Sequence, residues 1–210
     1  VQDVSIRIYG NRELKTLPGL ETRPTPARVR QALFNIWQGS IADCRWLDLC
    51  SGSGAMGAEA LCRDAKIVVG IERSNAACQI IEQNWAKVAG TTQTFQLLRS
   101  DVVSGLARLD GQKFDRIYFD PPYAGDLYQP VLAAIERYEL LAISGEIAVE
   151  HSPNPQISNL PTSLPTLELC RRKDYGNTAV SFYQIKDVDD ETGDGEKGRG
   201  GDWVSLKPKT

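Results

Sequence analysis

RWLDLCSGSGAMGAEAL, Arg45 to Leu61, passes from a short apolar run through a glycine-rich turn into a stretch of small and apolar residues. The first part reads as a buried strand and the last as a helix, with Gly52, Gly54 and Gly57 forming a literal G-x-G-x-x-G between them. A strand followed by a tight glycine turn and a helix is the opening unit of a parallel α/β sheet. Outward from it the pattern repeats. Strand-like runs RWLDLC, AKIVVGIE, TFQLLRS, KFDRIYFD and GEIAVEH alternate with helical stretches AMGAEALCRD, NAACQIIEQNWAKVAG, DVVSGLARL and LYQPVLAAIERYELL. Such alternation with short connections predicts an α/β fold: a mostly parallel twisted sheet with helices on both faces.

The two ends depart from this rhythm. VSIRIYGNRELKTL alternates around a central Gly-Asn and reads as a hairpin, and PARVRQALFNIWQ reads as a helix with Val29, Leu33, Ile36 and Trp37 on one face while Arg28 and Arg30 project elsewhere. At the other end, TLELCRRKDYG and TAVSFYQI flank Asp-Tyr-Gly-Asn, so a C-terminal antiparallel hairpin is expected. Beyond Lys186, DVDDETGDGEKGRGG lacks the apolar content to pack. The expected organisation is an N-terminal extension over residues 1–40, a main domain over 41–186 and an acidic, Gly-rich, disordered tail over 187–210, with Trp203 unexplained in it.

At 210 residues and 41% hydrophobic the chain suits one soluble domain with a real core. No apolar run approaches the roughly 18 residues of a membrane span, and no charged-then-apolar leader opens the chain. A bacterial-type cytoplasmic location is expected, with organellar targeting left open because the first residue is valine. Five cysteines without a C-x-x-C pair, and a single histidine, argue against a disulfide framework and for no metal site. The net charge of −3 is that of the tail, which holds seven acids and four bases. Residues 1–30 carry six bases against three acids and residues 151–186 four against two, whereas 31–150 carry ten against fifteen. Basic flanks around an acidic middle fit a catalytic core whose edges touch a polyanion.

In an open parallel sheet, ligands bind beyond the carboxyl ends of the strands. Glu72 ends the second strand, 20 residues after Gly52, where an acid holds ribose hydroxyls. Those two features alone also satisfy the dinucleotide fingerprint, so an NAD(P)-dependent oxidoreductase competes at this point. Three further acids move the balance. Asp48 sits inside the first strand, awkward for a charge unless it faces a cationic group; Asp101 follows the third strand, placed for an adenine amine; and Asp120-Pro121-Pro122-Tyr123 closes the fourth. Acids after four successive strands suit a ligand with an ammonium, a sulfonium, a ribose and an adenine but no phosphate, namely S-adenosylmethionine.

The chain here resembles the class I, Rossmann-like methyltransferases, and Asp120-Pro121-Pro122-Tyr123 is similar to the [DNS]-P-P-[YFW] signature of those that methylate exocyclic amines. The resemblance implies that Asp120 and the Pro121 carbonyl accept the two hydrogens of the amine, that Pro122 helps stiffen the loop and that Tyr123 stacks on a splayed-out base. Turn chemistry alone explains the prolines, since Asp-Pro-Pro terminates a strand well, but not the flanking acid and ring.

RIYGNRELKTLPGLETRPTPARVRQALFNIW, LDLCSGSGAMGAEAL, FDRIYFDPPY and KDYGNTAVSFY together resemble the RsmD family over about residues 5–185. That family's members methylate the N2 amine of a guanine in small-subunit ribosomal RNA. The resemblance implies an S-adenosylmethionine-dependent enzyme acting on ribosomal RNA in an assembling small subunit; with no heptad or large apolar stripe in the sequence a monomer is expected, without a metal and away from membranes. It implies cofactor contacts from Asp48, Ser51, Gly52, Ser53, Gly54, Glu72 and Asp101, and RNA contacts from Arg23, Thr25, Arg28, Arg30, Lys173 and Tyr175. Cys50 and Ser51 stand where the family often has Phe-Ala. The same loop chemistry serves adenine N6 in DNA or RNA and a protein glutamine amide, which stay open as acceptors; a non-catalytic RNA-binding module would leave the four strand-end acids unexplained. His151, the single histidine, follows the fifth strand and is set aside as a general base in favour of a structural hydrogen-bonding role.

Overall fold

The computed structural model describes residues 5–16, 27–123 and 126–187. Arg23, Thr25, Trp203 and nearly all of the acidic tail lie outside them. Strands β1 (Ser5–Ile8) and β2 (Arg12–Lys15) form the N-terminal hairpin, turned by Gly10 at φ 72° and Asn11 at φ 57°. Helix α1 (Ala27–Ile36) leads to β3 (Arg45–Leu49), α2 (Ala55–Cys62), β4 (Ile67–Glu72), α3 (Asn75–Val88), β5 (Thr94–Arg99) and α4 (Val102–Ala107). The chain continues through β6 (Phe114–Phe119), α5 (Tyr128–Arg137), β7 (Leu141–His151), β8 (Leu167–Tyr175) and β9 (Thr178–Ile185).

The main sheet has seven strands in the order β5-β4-β3-β6-β7-β9-β8. β3 to β7 are parallel, and β9 and β8 join antiparallel, so the expected terminal hairpin finishes one edge. Strand periodicity separates two cores. Trp46, Val68, Tyr118, Ala148 and Val180 face α1, α2 and α3, while Leu47, Val69, Ile117, Phe119 and Val149 face α4 and α5. From β3 the chain winds outward to β4 and β5, then crosses to β6 and β7 on the other side. The reversal falls between β3 and β6, and that gap is where this kind of sheet binds ligands.

The fingerprint glycines have a packing reason beside any ligand. The Trp85 indole of α3 lies under the loop and donates its Nε1–H to the Gly54 carbonyl at 2.8 Å. A Cβ on Gly57 would press on the Trp85 ring, 2.8 Å from Cε2, and one on Gly70 would stand 2.5 Å from Cη2. Gly57→Ala should therefore destabilise the fold by roughly 1–3 kcal/mol, read as a lower urea midpoint, because a fully buried indole has nowhere to retreat. An unchanged midpoint would mean that the indole yields freely.

Candidate active site

β3 and β6 run side by side with Leu49 opposite Phe119, so Cys50 and Asp120 leave the sheet together at the switch point. Leu49 is also opposite Ile71, which brings Glu72 to the same level. The three acids Asp48, Glu72 and Asp120 all act on Cys50. Its thiol is pushed up to about 12, first by burial and then by the fields of Glu72, Asp120 and Asp48. Cys50 is thus no nucleophile; it marks the place where the acids converge.

Asp48 is fully buried, and its Oδ2 accepts the Gly57 N–H at 3.0 Å. Burial raises its carboxyl from the usual 3.8 to about 8, the Gly57 bond opposing and Glu72 adding to the rise. Such a group favours folding in its neutral form, so its contribution is full below about pH 4 and is lost as pH rises through about 8. Urea unfolding from pH 4 to 8 should show the native chain losing stability relative to Asp48→Asn, which cannot ionise. Parallel curves would contradict the placement. A ligand ammonium beside Asp48 would remove this penalty, which is the chemistry expected of the site.

Glu72 closes the glycine loop from the next strand. Its Oε2 accepts Gly52 N–H at 2.9 Å and its Oε1 accepts Ser74 N–H at 2.8 Å. Each carboxylate oxygen has a second acceptor direction, so these bonds fix the group without exhausting it for a ribose diol. Ser51 Oγ–H donates to the Asp48 carbonyl at 2.8 Å, and Gly54 N–H to the Ser51 carbonyl at 2.7 Å, which sets the turn. Asp101, exposed at the end of β5, caps α4 by accepting Val103 and Ser104 N–H, a role the sequence reading did not foresee. This donor set fits S-adenosylmethionine. A pyrophosphate in the same place would meet Glu72, whose Oε2 already takes the Gly52 N–H that a phosphate would need.

At the mouth, Pro121 is buried, Pro122 exposed, and Asp120 and Tyr123 half-buried. Arg28 on α1 is exposed and close enough to Tyr175 to act on its phenol, which burial raises and Arg28 lowers. Lys173 is exposed further along β8. Arg30 corrects the expectation of an outward arginine. It is only 3% exposed, ion-paired to buried Glu59 at 2.6 Å and donating to the Arg7 carbonyl, so it ties α1 to α2 and the hairpin instead of reaching RNA. Phe34 likewise joins the buried face of α1, where Ile36 is only partly covered.

His151 is buried between the Ser152 carbonyl and Ser181 Oγ, at 2.7 and 2.9 Å, and burial lowers its pKa. It is a satisfied core residue. Two buried groups escaped the sequence reading. Asn84 of α3 accepts Lys15 N–H and donates to the Lys15 and Ser53 carbonyls, clamping the N-terminal hairpin to the glycine loop. Glu150 of β7 accepts both the Tyr118 and Tyr123 hydroxyls. A charge inside the apolar run GEIAVEH was the available signal for Glu150; nothing in a polar helix face singles out Asn84.

A mostly parallel sheet closed by an antiparallel hairpin, with acids at successive strand ends around a glycine loop, is the Rossmann-like class I methyltransferase architecture. Residues 6–184 match the family described as "Conserved hypothetical protein 95". The chain belongs to that family. It is 35% identical over 168 residues to the Ribosomal RNA small subunit methyltransferase D of Escherichia coli, covering 80% of each chain. It is 32% identical over 175 residues to YlbH of Bacillus subtilis, covering 82% of this chain and 93% of that one. The solved structure of yhhF from Escherichia coli superposes with a TM-score of 0.75 at 33% identity, covering 87% of this chain and 99% of the other.

Proposed function

We propose that this chain transfers a methyl group from S-adenosylmethionine to the exocyclic N2 amine of a guanine in small-subunit ribosomal RNA. The observation that carries the reading is the placement of Asp120-Pro121-Pro122-Tyr123 at the switch point, beside the acids gathered around Cys50. Membership of the family and the likeness to the Escherichia coli enzyme support ribosomal RNA as the acceptor.

S-adenosylmethionine supplies an electrophilic methyl group. Asp48 would hold its ammonium, Glu72 its ribose and Asp101 its adenine, with Ser51, Gly52, Ser53 and Gly54 shaping the loop that receives it. Asp120 and the Pro121 carbonyl accept the two hydrogens of the guanine amine. That amine is a weak nucleophile because its lone pair is delocalised into the ring, so stabilising the positive charge that develops on nitrogen is the main task. Fixing the amine in one orientation supplies the rest. Pro121 and Pro122 stiffen the loop, and Tyr123 stacks on the unstacked base. After transfer, Asp120 or water takes the surplus proton. Arg28, Lys173 and Tyr175 face the RNA and Arg23 and Thr25 add contacts to it, with residues 1–40 as the N-terminal extension that closes on RNA and cofactor, 41–186 as the catalytic domain and 187–210 as an appended tail. The enzyme acts as a monomer in the cytoplasm, on an assembling subunit. Among the described residues no helix is long and apolar enough to cross a membrane.

Labelled methyl transfer to small ribosomal subunits and naked ribosomal RNA, both from cells lacking this protein, tests the reading. Nucleoside analysis should return N2-methylguanosine. Label in N6-methyladenine or in protein would move the acceptor to one of the alternatives above.

A further inference from the structure

We infer that Glu150 is a positioning residue for the target base, acting through Tyr123. The inference deepens the proposed reading of Tyr123 as the stacking ring. A ring on a proline loop at the mouth of a site has rotational freedom, and stacking a single extruded base requires that freedom to be removed beforehand. The structure supplies three groups for this. Glu150 Oε1 accepts the Tyr123 hydroxyl at 3.0 Å, and Thr178 Oγ1 lies 3.2 Å from the same hydroxyl. Glu150 Oε2 accepts the Tyr118 hydroxyl at 2.6 Å, which keeps the carboxylate from turning.

The scaffold beneath is rigid. Tyr118 is on β6, Glu150 on β7 and Thr178 on β9, three neighbouring strands, and all three residues are buried. Within the pairing, Val149 is opposite Phe119 and Glu150 opposite Val180. The loop carrying Asp120 and Tyr123 is thereby referenced to the strand that precedes it and to the C-terminal hairpin. Burial is the main cause, with the field of Glu150 contributing, that holds the Tyr123 phenol well above its ordinary range, so it is a neutral donor. Its hydroxyl is engaged below, which leaves the ring face as the recognition surface. The terminal hairpin therefore serves the site, since it brings Thr178 under the stacking residue.

Glu150→Gln keeps the length but offers one acceptor oxygen to two hydroxyls, and Tyr123→Phe keeps the ring but removes the tether. Each should lower kcat/KM for RNA about tenfold, with S-adenosylmethionine affinity unchanged by calorimetry. The double variant should be no worse than either single, because both remove one coupling. Thr178→Val should give a smaller loss of the same kind, and stands in if Glu150→Gln folds poorly. Tyr123→Ala separates the two levels of the argument. If it abolishes transfer while Glu150→Gln, Thr178→Val and Tyr123→Phe remain at native rate, the positioning role is overturned and the stacking reading stands. If Tyr123→Ala is fully active, the stacking reading falls and takes the inference with it. Losses from Glu150→Gln and Tyr123→Phe that multiply fully would also overturn the inference, since Glu150 would then act elsewhere.

Discussion

Asp120→Ala should slow methyl transfer by about 10² to 10³ while leaving S-adenosylmethionine affinity nearly unchanged. Asp120 follows β6 directly at the reversal of the sheet, half-buried beside Cys50, whereas Asp48 and Glu72, the acids proposed for the ammonium and ribose, sit on β3 and β4. In the proposed mechanism, removing Asp120 deletes the acceptor of one amine hydrogen as positive charge develops on nitrogen, and leaves Asp48 and Glu72 in place. Asp120→Asn should be milder, since its amide oxygen still accepts a hydrogen bond. Single-turnover transfer to RNA, with calorimetric titration of the cofactor alongside, separates the two effects. Native transfer by the alanine variant would remove Asp120 from the chemistry.

Glu59→Ala should destabilise the fold by about 3–5 kcal/mol, the largest stability effect expected here. Glu59 is buried on α2 and takes Arg30 at 2.6 Å and Arg63 at 2.9 Å. Truncating it leaves the Arg30 guanidinium, itself 3% exposed, without its counter-charge. Replacing both partners, Glu59→Leu with Arg30→Met, should recover most of the loss, since neither buried charge then remains. Urea unfolding checks both variants. The folded double variant should also keep its affinity for RNA. Arg28→Ala, by contrast, should flatten the salt dependence of RNA binding by about 0.7 in log–log slope if Arg28 contacts one phosphate. A double variant that folds but loses RNA binding would return Arg30 to the substrate face.

The sheet was legible because its evidence is periodic. Strand and helix alternation, glycines after the first strand and an acid after each of the next three are local patterns, and each element arose within a few residues of its expected place. β7 is the main exception, beginning at Leu141 and not at Gly145, across a register irregularity between Phe114 and Arg116 that no local pattern announces. The face of a charged residue was harder to read. Arg30 reads as solvated on a helical wheel, and only the distant Glu59 turns it inward. Gly57 reads as a ligand glycine, yet Trp85, 28 positions later, occupies the space its side chain would need. Glu150 and Thr178 meet Tyr123 through strand neighbours that the order of the sheet decides, and the order is a tertiary property. What escaped the sequence was the support beneath the site, because support is built from contacts between elements.

Calorimetric titration of S-adenosylmethionine near pH 7, repeated in buffers of different ionisation enthalpy, tests the central claim most directly. Burial raises the Asp48 carboxyl to about 8 and so favours its neutral form, and an ammonium seated against it favours the charged form, so binding should release a proton. Saturable binding with net proton release is expected, the release lost in Asp48→Asn, together with no binding of a nicotinamide dinucleotide. Absence of S-adenosylmethionine binding, or saturable binding of the dinucleotide in its place, would contradict that claim.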